Sequence, residues 1–363
     1  METRRVEMDP LHLNEEAILL AGKYLKEGKL VAFPTETVYG LGANALDKTA
    51  AEKTYLAKGR PSDNPLIVHI SQFEDIFLLV SELQENTTIL ASKFWPGPLT
   101  LICKKSEVVP EGVTGGLDTV AIRMPDHPIA LALIKAGGGY VSAPSANSSG
   151  SPSPTTADHV MRDLYGKVDM IIDGGEVEIG VESTILDMTT EPPMILRPGA
   201  ITRCMLEQVI GHVDIDESVS VDSDIAPKAP GMKYRHYAPQ APLYLVKGNQ
   251  EDVCKAICYL LQKGQKAGKS VGVMATDETR KNYNGGVLYS LGSVESQAEV
   301  AHNLYAVLRE FDRQKVDIIY SESFYEEGLG AAIMNRLEKA AGQYVLEADE
   351  ILKRAKNEGF SFQ

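Results

Sequence analysis

The chain has 363 residues, 44% apolar and 24% charged, which suits two globular domains and excludes wholesale disorder. Its four cysteines, Cys103, Cys204, Cys254 and Cys258, include no C-x-x-C pair; this excludes a disulfide framework, argues against structural zinc and makes reduced thiols in a cytoplasmic protein the expectation. A formal charge of −14 argues against nucleic acid as the main partner, because phosphate neutralisation dominates that affinity, and basic residues that cluster in so acidic a chain point to a local anion pocket.

The N-terminus, Met1-Glu2-Thr3-Arg4-Arg5, leads into Glu7 and Asp9 rather than an apolar segment, which argues against secretion. No run of about 18 uncharged apolar residues offers a membrane span. Asn14–Glu27 carries Ile18, Leu19, Ala21 and Leu25 at helical spacing and meets a stop at Gly28. Leu30–Phe33 is a short apolar strand, and Asp47 is a helix N-cap for a helix to Lys58. Strands are predicted at Leu66–Ile70, Leu99–Cys103, Thr119–Arg123, Met170–Ile172, Ser183–Leu186 and Met194–Leu196. Helices are predicted near Glu85–Lys93, Pro128–Lys135 and Thr156–Leu164, with a further amphipathic stretch at Thr202–Ile210. Irregular, Gly-rich connections between so many strands predict an α/β fold with a mixed twisted sheet and flanking helices.

Acidic residues and then three prolines between 213 and 240 read as an extended linker, separating a catalytic domain at 1–212 from a C-terminal domain at 241–363. Beyond it, strand Leu243–Val246, helix Asp252–Lys263, strands Val271–Ala275 and Val287–Tyr289, helix Glu295–Arg313 and strand Val316–Tyr320 alternate, and a closing helix covers Ala331–Ala340. That order predicts a small, largely parallel, Rossmann-like α/β domain. Gly264-Gln-Lys-Ala-Gly-Lys-Ser270 imitates a phosphate loop, but it has one residue too few between its glycines and precedes a strand instead of following one.

Five segments of the N-terminal part concentrate chemistry. Phe33-Pro-Thr-Glu-Thr-Val-Tyr-Gly-Leu-Gly42 crowds hydroxyls, a carboxylate and a phenol at a strand end, where α/β sheets place ligands. Lys58-Gly-Arg60-Pro sets two cations about a turn, where a helix C-terminus also favours them; in the same segment His69 sits in an apolar strand, where a core histidine is common. Arg123 interrupts a buried alternation and needs an anion, either a protein carboxylate or one brought by a ligand. Val141-Ser-Ala-Pro-Ser-Ala-Asn-Ser-Ser-Gly150 is a strand feeding a loop of small polar residues able to approach phosphate. Gly180-Val-Glu-Ser-Thr precedes Leu196-Arg-Pro-Gly199.

Singly, each of these segments is ambiguous. In this order, and followed by Pro230-Gly-Met-Lys-Tyr-Arg-His-Tyr-Ala-Pro239 and an α/β domain, the chain resembles the YrdC-like family of L-threonylcarbamoyladenylate synthases in its long, two-domain form. The resemblance implies an N-terminal domain with a concave, positively lined cavity. It implies synthesis of threonylcarbamoyl-AMP and pyrophosphate from L-threonine, bicarbonate or CO2, and ATP with Mg²⁺. The product would pass to a separate transferase machinery that modifies tRNA to N6-threonylcarbamoyladenosine, with at most weak direct tRNA binding here. Carried over by residue, threonine would meet Thr37, His69, Arg123, the Ala143 backbone and Ser183. ATP would meet Lys58, Arg60, Asn64, Thr119, Ser145, Asn147, Ser153, Arg197 and, from the linker, Tyr237, with Lys58 and Arg60 carrying the catalytic charge. No protein side chains are assigned to the metal and no general base is nominated. The linker residues Met232 to Tyr237 are expected to act as a lid. Two alternatives remain at this stage: a non-catalytic RNA-binding or ribosome-assembly module, disfavoured by 18 basic against 28 acidic residues in 1–212, and a carbamoyl-transfer enzyme of hydrogenase maturation, whose paired C-x-x-C motifs are missing.

Overall fold

The computed structural model of the chain describes residues 2–216, 236–342 and 344–360. The chain folds as two compact units, Met1–Ser149 with Ser153–Tyr234, and Gly150–Pro152 with Arg235–Gln363.

The first unit opens with β1 (Arg4–Glu7), α1 (Glu15–Lys26), β2 (Val31–Phe33), β3 (Gly40–Asn44), α2 (Lys48–Lys58) and β4 (Ile67–His69). It continues through α3 (Ile76–Leu79), α4 (Glu85–Phe94), β5 (Leu99–Lys104), α5 (Glu111–Thr114), β6 (Thr119–Arg123), α6 (Pro128–Ala136) and β7 (Val141–Ser142). It ends with α7 (Ala157–Leu164), β8 (Met170–Asp173), β9 (Thr184–Asp187), β10 (Met194–Arg197), α8 (Arg203–Ile210) and β11 (Asp214–Ile215). The strands form one mixed sheet in the order β1-β8-β2-β3-β7-β4-β6-β5-β9-β10-β11.

The helices start where the sequence supplies acceptors for unpaired first-turn N–H groups. Asn14 accepts from Ala17, Asp47 from Thr49 and Thr156 from His159. Gly59, at φ +63°, closes α2 in the left-handed conformation that suits glycine.

The sheet is covered unevenly, and this positions the site. In β2, Val31 and Phe33 pack with residues of α1 and α6, while Ala32 turns to the opposite core with residues of α2 and α7. Both faces are therefore buried at this end. Toward β4, β6, β5 and β9, one face enters a large core shared with α3, α4 and α8.

The second unit contains β12 (Leu243–Lys247), α9 (Gln250–Lys266), β13 (Val271–Ala275), β14 (Val287–Ser290), α10 (Gln297–Gln314), β15 (Ile318–Glu322), α11 (Gly330–Ala341), β16 (Val345–Glu347) and α12 (Ala348–Asn357). Its five strands are all parallel, in the order β14-β13-β15-β12-β16. This bears out the Rossmann-like expectation, with one correction. The helix expected to close the chain is followed by a fifth strand and another helix, because Ile351 and Ala355 of α12 supply a face for α9. The phosphate-loop imitation is the last turn of α9, a left-handed Gly268 and the two residues that lead into β13.

Candidate active site

A strand sends alternate side chains to opposite faces, and in the half of the large sheet running from β4 to β9 that parity sorts chemistry from core. Val120 and Ile122 of β6 enter the core with Val68, Leu99, Leu101 and Cys103. Thr119, Ala121 and Arg123 therefore face the other way. The parallel register places Ile67 beside Ala121 and His69 beside Arg123, and the antiparallel register places Ile102 beside Ala121, so Thr100 shares this face. Ile67, Ile102, Ala121, Ile185 and Leu196 form a small apolar floor there. Polar groups flank it.

At one end of the floor Arg123 and Glu36 form an ion pair of 2.7 Å in which neither side chain is more than 6% exposed. Arg123 Nε also donates to the Gly97 carbonyl at 3.3 Å. Of the two partners the sequence left open for Arg123, the structure supplies the protein carboxylate. His69 is fully buried beside this cation, and burial first, then Arg123, pull its pKa down to about 3, so the ring is neutral. Its Nδ1 lies 3.2 Å from the Ile67 carbonyl. His127 is pulled down by burial and partly restored by Glu36.

Ser183 ties neighbouring strands together. Its hydroxyl is 2.8 Å from Thr100 Oγ1 and accepts from Arg197 Nη2 at 3.1 Å, while its carbonyl accepts from Arg197 Nε at 3.0 Å. Thr37 is buried 2.9 Å from the Thr35 hydroxyl. The loop Gly180–Ser183 is held against this segment by Gly180 N–H donating to the Thr37 carbonyl and Ile179 N–H to that of Glu36.

The other cations gather about the loop that leaves β7. Ala143 N–H donates to the Ile67 carbonyl, fixing the loop start against β4. Lys58, at the end of α2, reaches across to it: its ammonium donates to the Ser145 carbonyl, to the Asn147 carbonyl at 2.6 Å and toward Asn147 Oδ1 at 3.4 Å. Of the expected convergence of Lys58 and Arg60 on Ser145 and Asn147, the structure shows the Lys58 half, and Lys58 clamps the loop's backbone. Arg60 bends back to the carbonyls of Asn64 and Pro65. Asn64 is 1% exposed, yet its side-chain amide has no hydrogen-bond partner. A buried amide in that state costs free energy unless a ligand completes it. Ser153 is buried and donates to Glu182 at 2.5 Å.

Thr119 stands on the same face as Arg123 but at the opposite end of β6. Tyr237 belongs to the second unit, where its ring lies 5.4 Å from that of Tyr305 and the Arg336 guanidinium sits 5.4 Å from its centre. Of the expected lid, Met232 to Arg235 lie outside the described residues. Sequence reasoning quoted Glu36 and Glu182 within motifs but did not nominate them, and it passed over Thr100. An acid inside a Pro-Thr-Glu-Thr strand end was a usable signal for Glu36; nothing local marked Thr100, whose role comes from its register. Among the described residues no group of three or more His, Cys, Asp or Glu is placed to hold a metal.

A mixed sheet with cations and hydroxyls on one face, followed by a small all-parallel unit, makes this a two-unit α/β protein whose polar face can meet an anionic ligand. A family model described as telomere recombination matches residues 23–199, and one described as the C-terminal domain of threonylcarbamoyl-AMP synthase matches residues 201–342. The threonylcarbamoyl-AMP synthase of Pyrococcus abyssi is 51% identical over 92% of this chain and 97% of its own length. That of Bacillus subtilis is 50% identical over 93% and 96%. A crystal structure of the P. abyssi Sua5 protein complexed with L-threonine covers 96% of this chain and 99% of its own, at 49% identity and a TM-score of 0.89. The chain belongs to the threonylcarbamoyl-AMP synthase family.

Proposed function

We propose that this chain joins L-threonine, bicarbonate or CO2, and ATP into threonylcarbamoyl-AMP and pyrophosphate. The observation that carries this reading is the polar face itself: Arg123, His69, Ser183 and Arg197 stand around one apolar floor, beside a Lys58-clamped loop leaving β7. Such a face suits a compact amino acid next to a nucleotide.

In this reading Glu36 fixes the Arg123 guanidinium so that the threonine carboxylate meets a preorganised cation. The Thr37 and Ser183 hydroxyls and the Ala143 backbone would contact the amino acid. A neutral His69 can accept or donate a hydrogen bond there without adding charge. The threonine amine captures CO2, releasing one proton, and a carbamate oxygen attacks the α-phosphorus of ATP. The bond to the bridging oxygen breaks in line and pyrophosphate leaves with its electrons. Mg²⁺ enters on the triphosphate as part of the substrate. Lys58, Arg60 and Arg197 would neutralise charge, while Asn64, Thr119, Ser145, Asn147 and Ser153 would hold the nucleotide. Chemistry of this kind asks the protein for position and electrostatics rather than a covalent intermediate.

The product would be consumed by a separate transferase acting on tRNA, in the cytoplasm, with at most weak tRNA contact by this chain. The test is pyrophosphate release from purified protein with MgATP. Release that requires both threonine and bicarbonate is expected; release at the same rate without threonine would overturn the reading.

A further inference from the structure

The second unit holds a cleft that no step above uses. Right-handed crossovers carry β12 to β13 across one face of the sheet and β15 to β16 across the other. The packing agrees, because α9 lies with α12 and α10 lies with α11. Since β12 and β15 are neighbours, their connections leave adjacent strand ends in opposite directions. Open α/β sheets bind ligands where this happens, outside the carboxyl ends of the strands.

At that point the structure has a cleft of about 260 Å³, the scale of a small metabolite. Gly248, Asn249 and Val253 form one side, and Thr276, Glu322 and Phe324 line the strand ends. Glu322 is the last residue of the central strand β15 and is 4% exposed. The Tyr283 hydroxyl donates to it, and the Thr279 hydroxyl gives further support. Burial pushes its pKa up, as does the neighbouring Glu278. Among the described residues no Lys, Arg or His lines the cleft, and Glu322 is the acid that does. A phosphate entering here would meet the Glu322 carboxyl and no cationic side chain. The Tyr283 and Thr279 hydroxyls and the Thr276 backbone N–H already hydrogen-bond this carboxyl, but among the described residues it has no ion pair, and a positive head group would supply one.

We propose that the cleft binds a small organic cation, an ammonium or guanidinium on a short carbon chain, with its head on Glu322 and its chain against Val253 and Phe324. The site is independent of the synthase reaction, whose own face is lined by cations.

The test uses the full chain, with agmatine and putrescine as probes and AMP as the anionic comparison, followed by titration calorimetry and thermal melting. Saturable binding of at least one amine is expected, weakened tenfold or more by Glu322→Gln and by Val294→Trp, which fills the cleft from its wall. Both variants should release pyrophosphate at the unaltered rate. If Glu322→Gln lowers the melting temperature so far that its titration is unreadable, Val294→Trp decides. The proposal fails if neither amine saturates, if amine binding survives Val294→Trp, or if that variant abolishes AMP binding instead.

Discussion

Arg123 and Glu36 hold each other almost wholly out of water, so neither can be removed alone without stranding a charge. Glu36→Gln is expected to cost about 3–5 kcal/mol of stability, and Glu36→Gln with Arg123→Met much less, because the double variant strands nothing. Urea unfolding of the three proteins measures this; equal losses in the single and double variants would show that the pair carries no special burden. His69 gives a pH dependence of definite sign. Its folded pKa, about 3, lies below the ordinary 6.5, so the unfolded state binds the proton more readily. Stability from this group is complete above about pH 6.5 and is lost as pH falls toward 3, at about 1.4 kcal/mol per pH unit. His69→Gln should flatten that part of the acid limb, and an unchanged limb would contradict a neutral, buried ring. Lys58→Ala should lower the rate of pyrophosphate release about 10²–10³-fold. A change below about threefold would make the ammonium a mere structural tie.

At the level of elements, the turn from β10 to α8 shows how little room the site leaves. A Cβ at Gly199 would sit 2.4 Å from the Thr184 nitrogen and 2.7 Å from the Ser183 carbonyl carbon. These are backbone atoms, and they cannot swing aside as a side chain can. Gly199→Ala is therefore expected to cost about 1–3 kcal/mol and, because Ser183 must shift away from Thr100 and Arg197, to raise KM for threonine. A destabilised variant with unchanged KM would separate the turn from the site. Helix ends were legible because capping is local: Asp47 was read from the sequence as an N-cap, Asn14 and Thr156 as the first residues of helical stretches, and each accepts a first-turn N–H. β3 was not legible as a strand. Gly40-Leu-Gly-Ala-Asn44 has low intrinsic strand preference and is extended because β2 and β7 pair with it on either side.

Over the whole molecule, the net charge is −14 while the site brings together a few cations among hydroxyls, which suits small anions more than a long polyanion. Affinity for tRNA without ATP is expected to be no tighter than about 1 µM near physiological salt. A salt-titrated binding assay checks it, and tight, steeply salt-dependent binding would favour an RNA-binding role. Among the described residues no helix is long and apolar enough to cross a membrane.

The amino-acid order alone was enough for the two α/β units, most helices and strands, and the motifs that carry the chemistry, because periodicity, caps and turn residues act over a few neighbours. Lys58, Ser145 and Asn147 could be paired as motifs, but their meeting depends on α2 and the β7 loop folding together across 87 residues. Which partner neutralises Arg123, which hydroxyl meets Ser183, and which strand ends open into a cleft were decided only by register and strand order. Those relations join residues far apart in the chain, and local preference holds no record of them.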